Sequence, residues 1–166
     1  MGTWHLAQFN ITMPVEPLTS PRLAGFVDAL DEINALADVA PGFVWRMQTE
    51  DGNATAIRAF DDERLIINLT VWTSIETLGD YVYRSGHVGV LRRRREWMEA
   101  PTQANQAMWW VPAGELPTVP EAERRLVHLR EHGPTPHAFT FREPFPAPDS
   151  PDGAEVEHNA DWGCPA

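Results

Sequence analysis

Residues 64–98, RLIINLTVWTSIETLGDYVYRSGHVGVLRRRREWM, contain the change from strand to helix on which the fold interpretation depends. The first nine are rich in β-branched and aromatic side chains, which is typical of a strand. Thr73 with Glu76 forms a capping box, a pairing that opens helices. Because Gly86 interrupts the helical pattern, we expect a second helical segment over 87–98.

Strand and helix patterns on both sides of this stretch complete a β-α-β-β-α-β order. Ser20 before Pro21 predicts a helix start. This order is that of a ferredoxin-like fold, an α+β class with a split β-α-β antiparallel sheet and helices on one face. An extra helix and strand follow it, and residues 146–166 are expected to form an acidic, proline-rich tail after a domain at 1–145. The other predicted elements are strands 3–11, 42–50, 106–114 and 137–145, a short strand at 54–60 and a helix at 121–132.

Composition narrows the classes of partner. The chain of 166 residues has a formal net charge of −11, and all its basic residues are Arg, a usage that suits a GC-rich bacterial genome. Net negative charge repels phosphates and anionic lipids, so nucleic acid and membrane surfaces are poor partners. Cys164 is the only cysteine, which excludes an intramolecular disulfide and a thiolate zinc site. With no secretory signal and no long apolar run, a cytoplasmic protein is predicted.

The basic run Arg92–Arg95 is the exception to the acidic composition. On a helix these four side chains fan around the axis. They form either a solvated or salt-bridged surface, or a site for an anion or a partner.

Strand alternation separates two faces of the predicted sheet. The apolar face is expected to pack on the helices, and the mixed face to look away from them. The mixed face is either a polar dimer interface or wet surface, or a pocket with convergent polar groups and aromatic walls. Arg46 is its most informative member, because a cation on a sheet face needs a carboxylate from the protein or from a ligand. The mixed face comprises Gln8, Asn10, Arg46, Gln48, Asn68, Thr70 and Trp72.

His87 is the candidate for proton chemistry. It follows Gly86 at the start of a helical segment, where the helix dipole favours a neutral imidazole able to accept a proton or bind a haem iron. Tyr83 lies four residues earlier and is placed to share a ligand. The alternative is a structural His that caps the helix break. His128 and His132 have a metal-ligand spacing, but no carboxylate is placed convincingly to complete a site with them, so no metal site is predicted.

The motifs HLAQFNI, GFVWRMQ, NLTVW and YVYRSGHVGVLRRRREWM resemble a bacterial domain family of unknown function over about residues 3–145. That family is placed in the dimeric α/β-barrel superfamily, which includes antibiotic-biosynthesis monooxygenases and haem-binding relatives. The resemblance implies a ferredoxin-like fold, a homodimer and a small-molecule pocket between sheet and helices. Fold alone assigns no catalyst.

The sequence therefore predicts a monooxygenase-like small-molecule enzyme, of isomerase or cyclase type as a variant, in secondary metabolism such as antibiotic biosynthesis. No cofactor is expected. The alternatives are a haem protein with His87 as axial ligand, and a non-enzymatic ligand-binding or interaction domain. The expected roles are proton transfer by His87 with Tyr83, ligand orientation by Arg46, hydrogen bonding by Asn68, Gln8, Asn10 and Thr70, and aromatic walls from Trp72 and Trp110.

Overall fold

The computed structural model describes residues 2–48, 55, 58–85 and 87–150, except for the side chain of His87. A four-stranded antiparallel sheet runs through it in the order β2-β3-β1-β4. Together with the chain order of strands and helices, this arrangement confirms the ferredoxin-like α+β prediction. The strands are β1 Trp4–Thr12, β2 Phe43–Arg46, β3 Ile66–Trp72 and β4 Gln106–Pro112; the helices are α1 Ala24–Asp38, α2 Ile75–Arg84, α3 His87–Trp97 and α4 Val119–His132.

The capping box that opens α2 lies one residue later than predicted. Thr73 is still held beside the sheet, because its N–H donates to the carbonyl of Gly42 at 2.8 Å. Ser74 is the N-cap, and its hydroxyl accepts from the N–H of Thr77 at 3.1 Å while Thr77 bonds back to the N–H of Ser74. The break between α2 and α3 confirms the predicted interruption, although Gly86 itself lies outside the described residues.

The assignment of the two sheet faces was wrong. The mixed face, carrying Gln8, Thr70 and Trp72, packs under α1, α2 and α3. The apolar face is covered by α4, the extra C-terminal helix, which buries Ala122, Leu126 and Leu129 against it. An apolar sheet face must be buried against another element, and here that element is α4. The sequence alone had not assigned α4 to either face of the sheet. This face comprises Ala7, Phe9, Ile11, Ile67, Leu69, Val71 and Trp109, all buried within the single chain.

This arrangement removes one of the two grounds for a homodimer. The mixed sheet face was a possible dimer interface, but both faces are covered by helices of the same chain. The other ground, the family resemblance, does not depend on this face. A homodimer therefore stays a prediction that would need another surface. No helix of the described residues is long and apolar enough to cross a membrane.

Predicted strand 137–145 is not formed as a strand, and predicted strand 54–60 lies partly outside the described residues. Segment 137–145 contributes a single bridge to β4, in which Phe139 and Met108 exchange two hydrogen bonds of 2.9 Å. A bend then follows, where the N–H of Glu143 bonds to the hydroxyl of Thr140 and ends the pairing. In the described part of 54–60 there is only a tight turn, with Phe60 in the left-handed region between bridged neighbours.

Candidate functional site

A cavity of about 200 Å³ lies between one end of the mixed sheet face and helices α1 and α3. Its floor combines polar side chains with Met47, Ile66 and Ile67, and its roof is mainly apolar. This combination suits a small molecule with an apolar body and a few polar atoms. The floor includes Asn10, Thr12, Arg46, Ile66 and Asn68, and the roof includes Phe26, Ala29, Leu30, Ile33, Asn34, Val90, Leu91, Arg94, Trp97 and Met98.

The cavity exists because the two ends of the mixed face carry side chains of different size. At one end the ring of Trp72 stacks on Tyr81 of α2 with centroids 5.0 Å apart and meets Phe43 edge-on at 5.5 Å. At the other end the paired positions Asn10 and Asn68 are short. The Trp72 end is closely packed. At the other end the short asparagines do not reach α1 and α3, which leaves the space of the cavity between sheet and helices.

A line of hydrogen bonds crosses the floor beside the cavity. Trp72 Nε1 donates to Thr70 Oγ1 at 3.0 Å, and Thr70 Oγ1 donates to Gln8 Oε1 at 3.0 Å. Gln8 Nε2 then donates to Asn10 Oδ1 at 2.9 Å. Gln8 is 4% exposed and Thr70 is 6% exposed, and neither they nor Trp72 line the cavity; Asn10 is the member of the line that does.

Arg46 lines the cavity and already has a carboxylate from the protein. Its Nε lies 2.7 Å from Asp38 Oδ1, and its Nη2 lies 3.2 Å from Asp38 Oδ2. This two-point geometry fixes the guanidinium plane at the end of α1. The Arg46 side chain is 12% exposed and Asp38 is 44% exposed, so the pair borders both the cavity and solvent.

Arg94 is a cavity residue that the sequence reasoning did not single out. It lies on α3 with Val90, Leu91 and Trp97, and all four line the roof. Their spacing of three and four residues was a signal available in the sequence, because it places Arg94 in the middle of an apolar helix stripe. Elsewhere in the basic run, Arg93 pairs with a glutamate and stacks over Trp97 at 4.5 Å.

The structure places Tyr83 and Trp110 away from this cavity. Tyr83 meets Phe141 edge-on with centroids 5.6 Å apart, and Trp110 Nε1 donates to the carbonyl of Phe145 at 2.8 Å. Both pack in the cluster that the C-terminal segment covers. His87 begins α3, and its side chain lies outside the described residues.

Tyr81 is held as a neutral hydrogen-bond donor. Burial raises the pKa of its phenol well above the ordinary value; the charge of Arg46 opposes this rise and that of Asp38 adds to it. Its hydroxyl donates to the carbonyl of Ile33 at 2.9 Å, which fastens α2 to α1 beside the cavity.

Three histidine rings meet on the far side of the sheet, around α4. The ring of His128 lies 4.5 Å from that of His132 and 4.7 Å from that of His137. Burial, and then the charge of Arg125, lowers the pKa of His137. Among the residues that the structure describes, no group of three His, Cys, Asp or Glu side chains has a metal-binding arrangement.

The fold and the cavity define a ferredoxin-like α+β domain with a helix-covered cavity at the polar end of its sheet. Residues 5–155 match the family described as Domain of unknown function (DUF3291), and the chain belongs to that family. This confirms the resemblance to a domain family of unknown function. None of the curated proteins matches the chain.

Several solved structures are similar at low identity. A protein of unknown function from Nitrosomonas europaea, NE2512, is 12% identical with a TM-score of 0.44, covering 71% of this chain and 99% of its own. A putative antibiotic biosynthesis monooxygenase from the same organism is 14% identical with a TM-score of 0.41, covering 70% and 93%. A mutant of SnoaB, a cofactor-independent oxygenase from Streptomyces nogalater, is 16% identical with a TM-score of 0.43, covering 71% and 98%.

Proposed function

We propose that this protein is a monooxygenase-like small-molecule enzyme that needs no cofactor and binds its substrate in the cavity under α1 and α3. The observation that carries the proposal is the pairing of a sheet floor rich in polar groups with a mainly apolar helical roof around about 200 Å³. A site of this kind removes the body of a ligand from water and orients its few polar atoms.

The lining residues indicate the shape of the substrate. Phe26, Ile33 and Leu91 offer flat or branched apolar surface, which suits a compact aromatic or alicyclic body. Asn10 and Asn68 face each other in the β1–β3 register and supply amide groups at the floor. In this proposal they hydrogen-bond the polar end of the substrate, and the Arg46–Asp38 pair borders that end.

His87 keeps the role of general base in the proposal. It is the first residue of α3, and the following turns of α3 supply Val90, Leu91 and Arg94 to the cavity. A neutral imidazole at a helix start suits proton removal from an acidic C–H or O–H of the substrate near neutral pH. Tyr83 packs on Phe141 and does not line the cavity, so the proposal gives it no part in proton transfer.

The test fills the cavity from its roof. Ala29 lines the cavity and Ala35 is an exposed residue of the same helix, so Ala29→Trp and Ala35→Trp form a matched pair. A panel of bicyclic aromatic ketones and phenols is titrated by calorimetry. Wild type and Ala35→Trp are expected to bind the same panel members, and Ala29→Trp none of them.

Equal binding by all three proteins would contradict the proposed site. Dioxygen consumption with the bound panel members tests the oxygenase part, and its absence with every one of them would reduce the proposal to ligand binding. A Soret band in the purified protein would favour the haem alternative.

A further inference from the structure

The hydrogen bonds across the sheet floor all run in one direction, from Trp72 through Thr70 and Gln8 to Asn10. The indole N–H of Trp72 can only donate, and its ring is fully buried. It lies 3.0 Å from Thr70 Oγ1, so that oxygen acts as an acceptor there. A hydroxyl oxygen can accept two hydrogen bonds, so this contact alone does not orient the Thr70 proton. That proton is donated to Gln8 Oε1 at 3.0 Å, and the part of the chain that the structure describes offers it no other acceptor.

This direction fixes both amides that follow. Because the oxygen of the Gln8 amide faces Thr70, its NH₂ group faces Asn10, where Nε2 donates to Oδ1 at 2.9 Å. The oxygen of Asn10 is thereby occupied. Rotating either amide by half a turn would set two donors or two acceptors against each other in a buried position, which is costly.

Asn10 consequently turns its NH₂ group to the cavity that it lines. Within the described part of the chain, no acceptor takes a hydrogen bond from Asn10 Nδ2. Three successive hydrogen bonds that point the same way also polarise one another, which strengthens the donor at the end of the line. Asn68, which pairs with Asn10 in the β1–β3 register, is exposed, so its amide can rotate to face either a donor or an acceptor of the ligand.

We infer that Asn10 is a fixed hydrogen-bond donor that makes the cavity select ligands with an acceptor oxygen, such as a ketone carbonyl or a phenolate. Gln8, Thr70 and Trp72 are positioning residues that hold this donor in place. This inference rests on the proposed function, because it assumes that the ligand occupies the cavity.

The probes are 1-tetralone, which carries one acceptor oxygen, and tetralin, the same ring system without it. Calorimetric titration of the wild type should give tighter binding of 1-tetralone than of tetralin by about tenfold, the scale of one hydrogen bond. Asn10→Asp keeps the acceptor for Gln8 but replaces the cavity-facing NH₂ by oxygen. In this variant tetralin should bind more tightly than 1-tetralone.

Variants of Thr70 test the positioning role. Thr70→Val removes the hydroxyl that directs the Gln8 amide, so the preference for 1-tetralone should shrink although Asn10 is intact. Thr70→Ser restores the hydroxyl and should restore the preference. A purely structural role for Thr70 would change the affinity for both probes together and leave their ratio as in the wild type, which would overturn the inference.

The outcomes separate this inference from the proposed function. Binding of both probes with an unchanged ratio in Asn10→Asp would overturn the inference and leave the cavity as a binding site. Binding of neither probe would contradict the proposed function. If neither probe binds, the stability of Asn10→Asp still tests the direction of the Asn10 amide. Because Asp keeps the acceptor for Gln8, the thermal midpoint of this variant should stay within about 4 °C of wild type. A larger fall would overturn the direction.

Discussion

Replacement of Thr70 by Val should destabilise the protein far more than its small change of shape suggests. The hydroxyl accepts from Trp72 and donates to Gln8, and both partners are buried. Valine has the same shape but leaves the indole N–H and the amide oxygen without their partner. At about 1–3 kcal/mol for each unsatisfied buried group, less the gain from one buried methyl, we expect a loss of about 3 kcal/mol.

Urea denaturation followed by tryptophan fluorescence measures this loss, with Thr70→Ser as the matched control. Serine keeps both hydrogen bonds and loses one methyl group, so about 1 kcal/mol is expected. The thermal midpoint of Thr70→Val should fall by about 6–12 °C, given about 2–4 °C per kcal/mol in a domain of this size. Equal stability of the Val and Ser variants would refute the claim that these hydrogen bonds are formed.

Three further predictions concern other parts of the chain. Gly42→Ala should lower the free energy of unfolding by at least about 2 kcal/mol, because Gly42 has φ of +81° and an added Cβ would overlap Thr77. Gly89→Ala is the control, since an added Cβ there meets open space in α3 and should not destabilise the protein. Equal thermal midpoints for the two variants would contradict this prediction. The pKa of His137 lies below its ordinary value of 6.5 owing to burial, Arg125 and His128, so the unfolded chain takes up the proton first and stability falls as pH drops below about 6.5. His137→Gln should flatten that part of the stability profile, and an unchanged profile would argue against the shift. Truncation after Ala147 removes the exposed bond from Trp4 to Asp149, so the thermal midpoint should move by less than about 4 °C; a larger fall would mean that the tail packs on the domain.

The sequence predicted those elements whose signals are local. The β-branched run before Trp72 marks β3, and Thr118 accepts from the N–H of Glu121 at the start of α4. Ser20 accepts from the N–H of Arg22 where the first helical turn begins. Each of these signals depends on neighbours within four residues, which is why they could be found without knowledge of the tertiary fold.

Which helix covers which face could not be obtained in the same way. Alternation places Gln8 with Asn10 and Thr70 with Trp72 on shared strand faces, but the register that joins the two strands is a long-range property. The apolar face was given to the wrong helices because the covering role of α4 depends on its path after β4. The last predicted strand failed for a related reason, since only Phe139 reaches the edge of β4.

The candidate site was predicted in part. Strand alternation correctly grouped Asn10, Arg46 and Asn68, which line the cavity. It also grouped with them Thr70 and Trp72, which are buried beside the cavity and do not line it. Size decides between them, because the large Trp72 fills its end of the face and the short asparagines do not. The role of His87 stays a prediction.

The central claim is that a small molecule occupies the space between the asparagine end of the sheet and helices α1 and α3. Titration of isotope-labelled protein with 1-tetralone, followed by NMR, maps the bound probe directly. We expect the largest shifts on Asn10, Asn68, Ile33 and Leu91, including the side-chain amide of Asn10. Shifts centred instead on Trp110 and Phe145, or on α4, would contradict it.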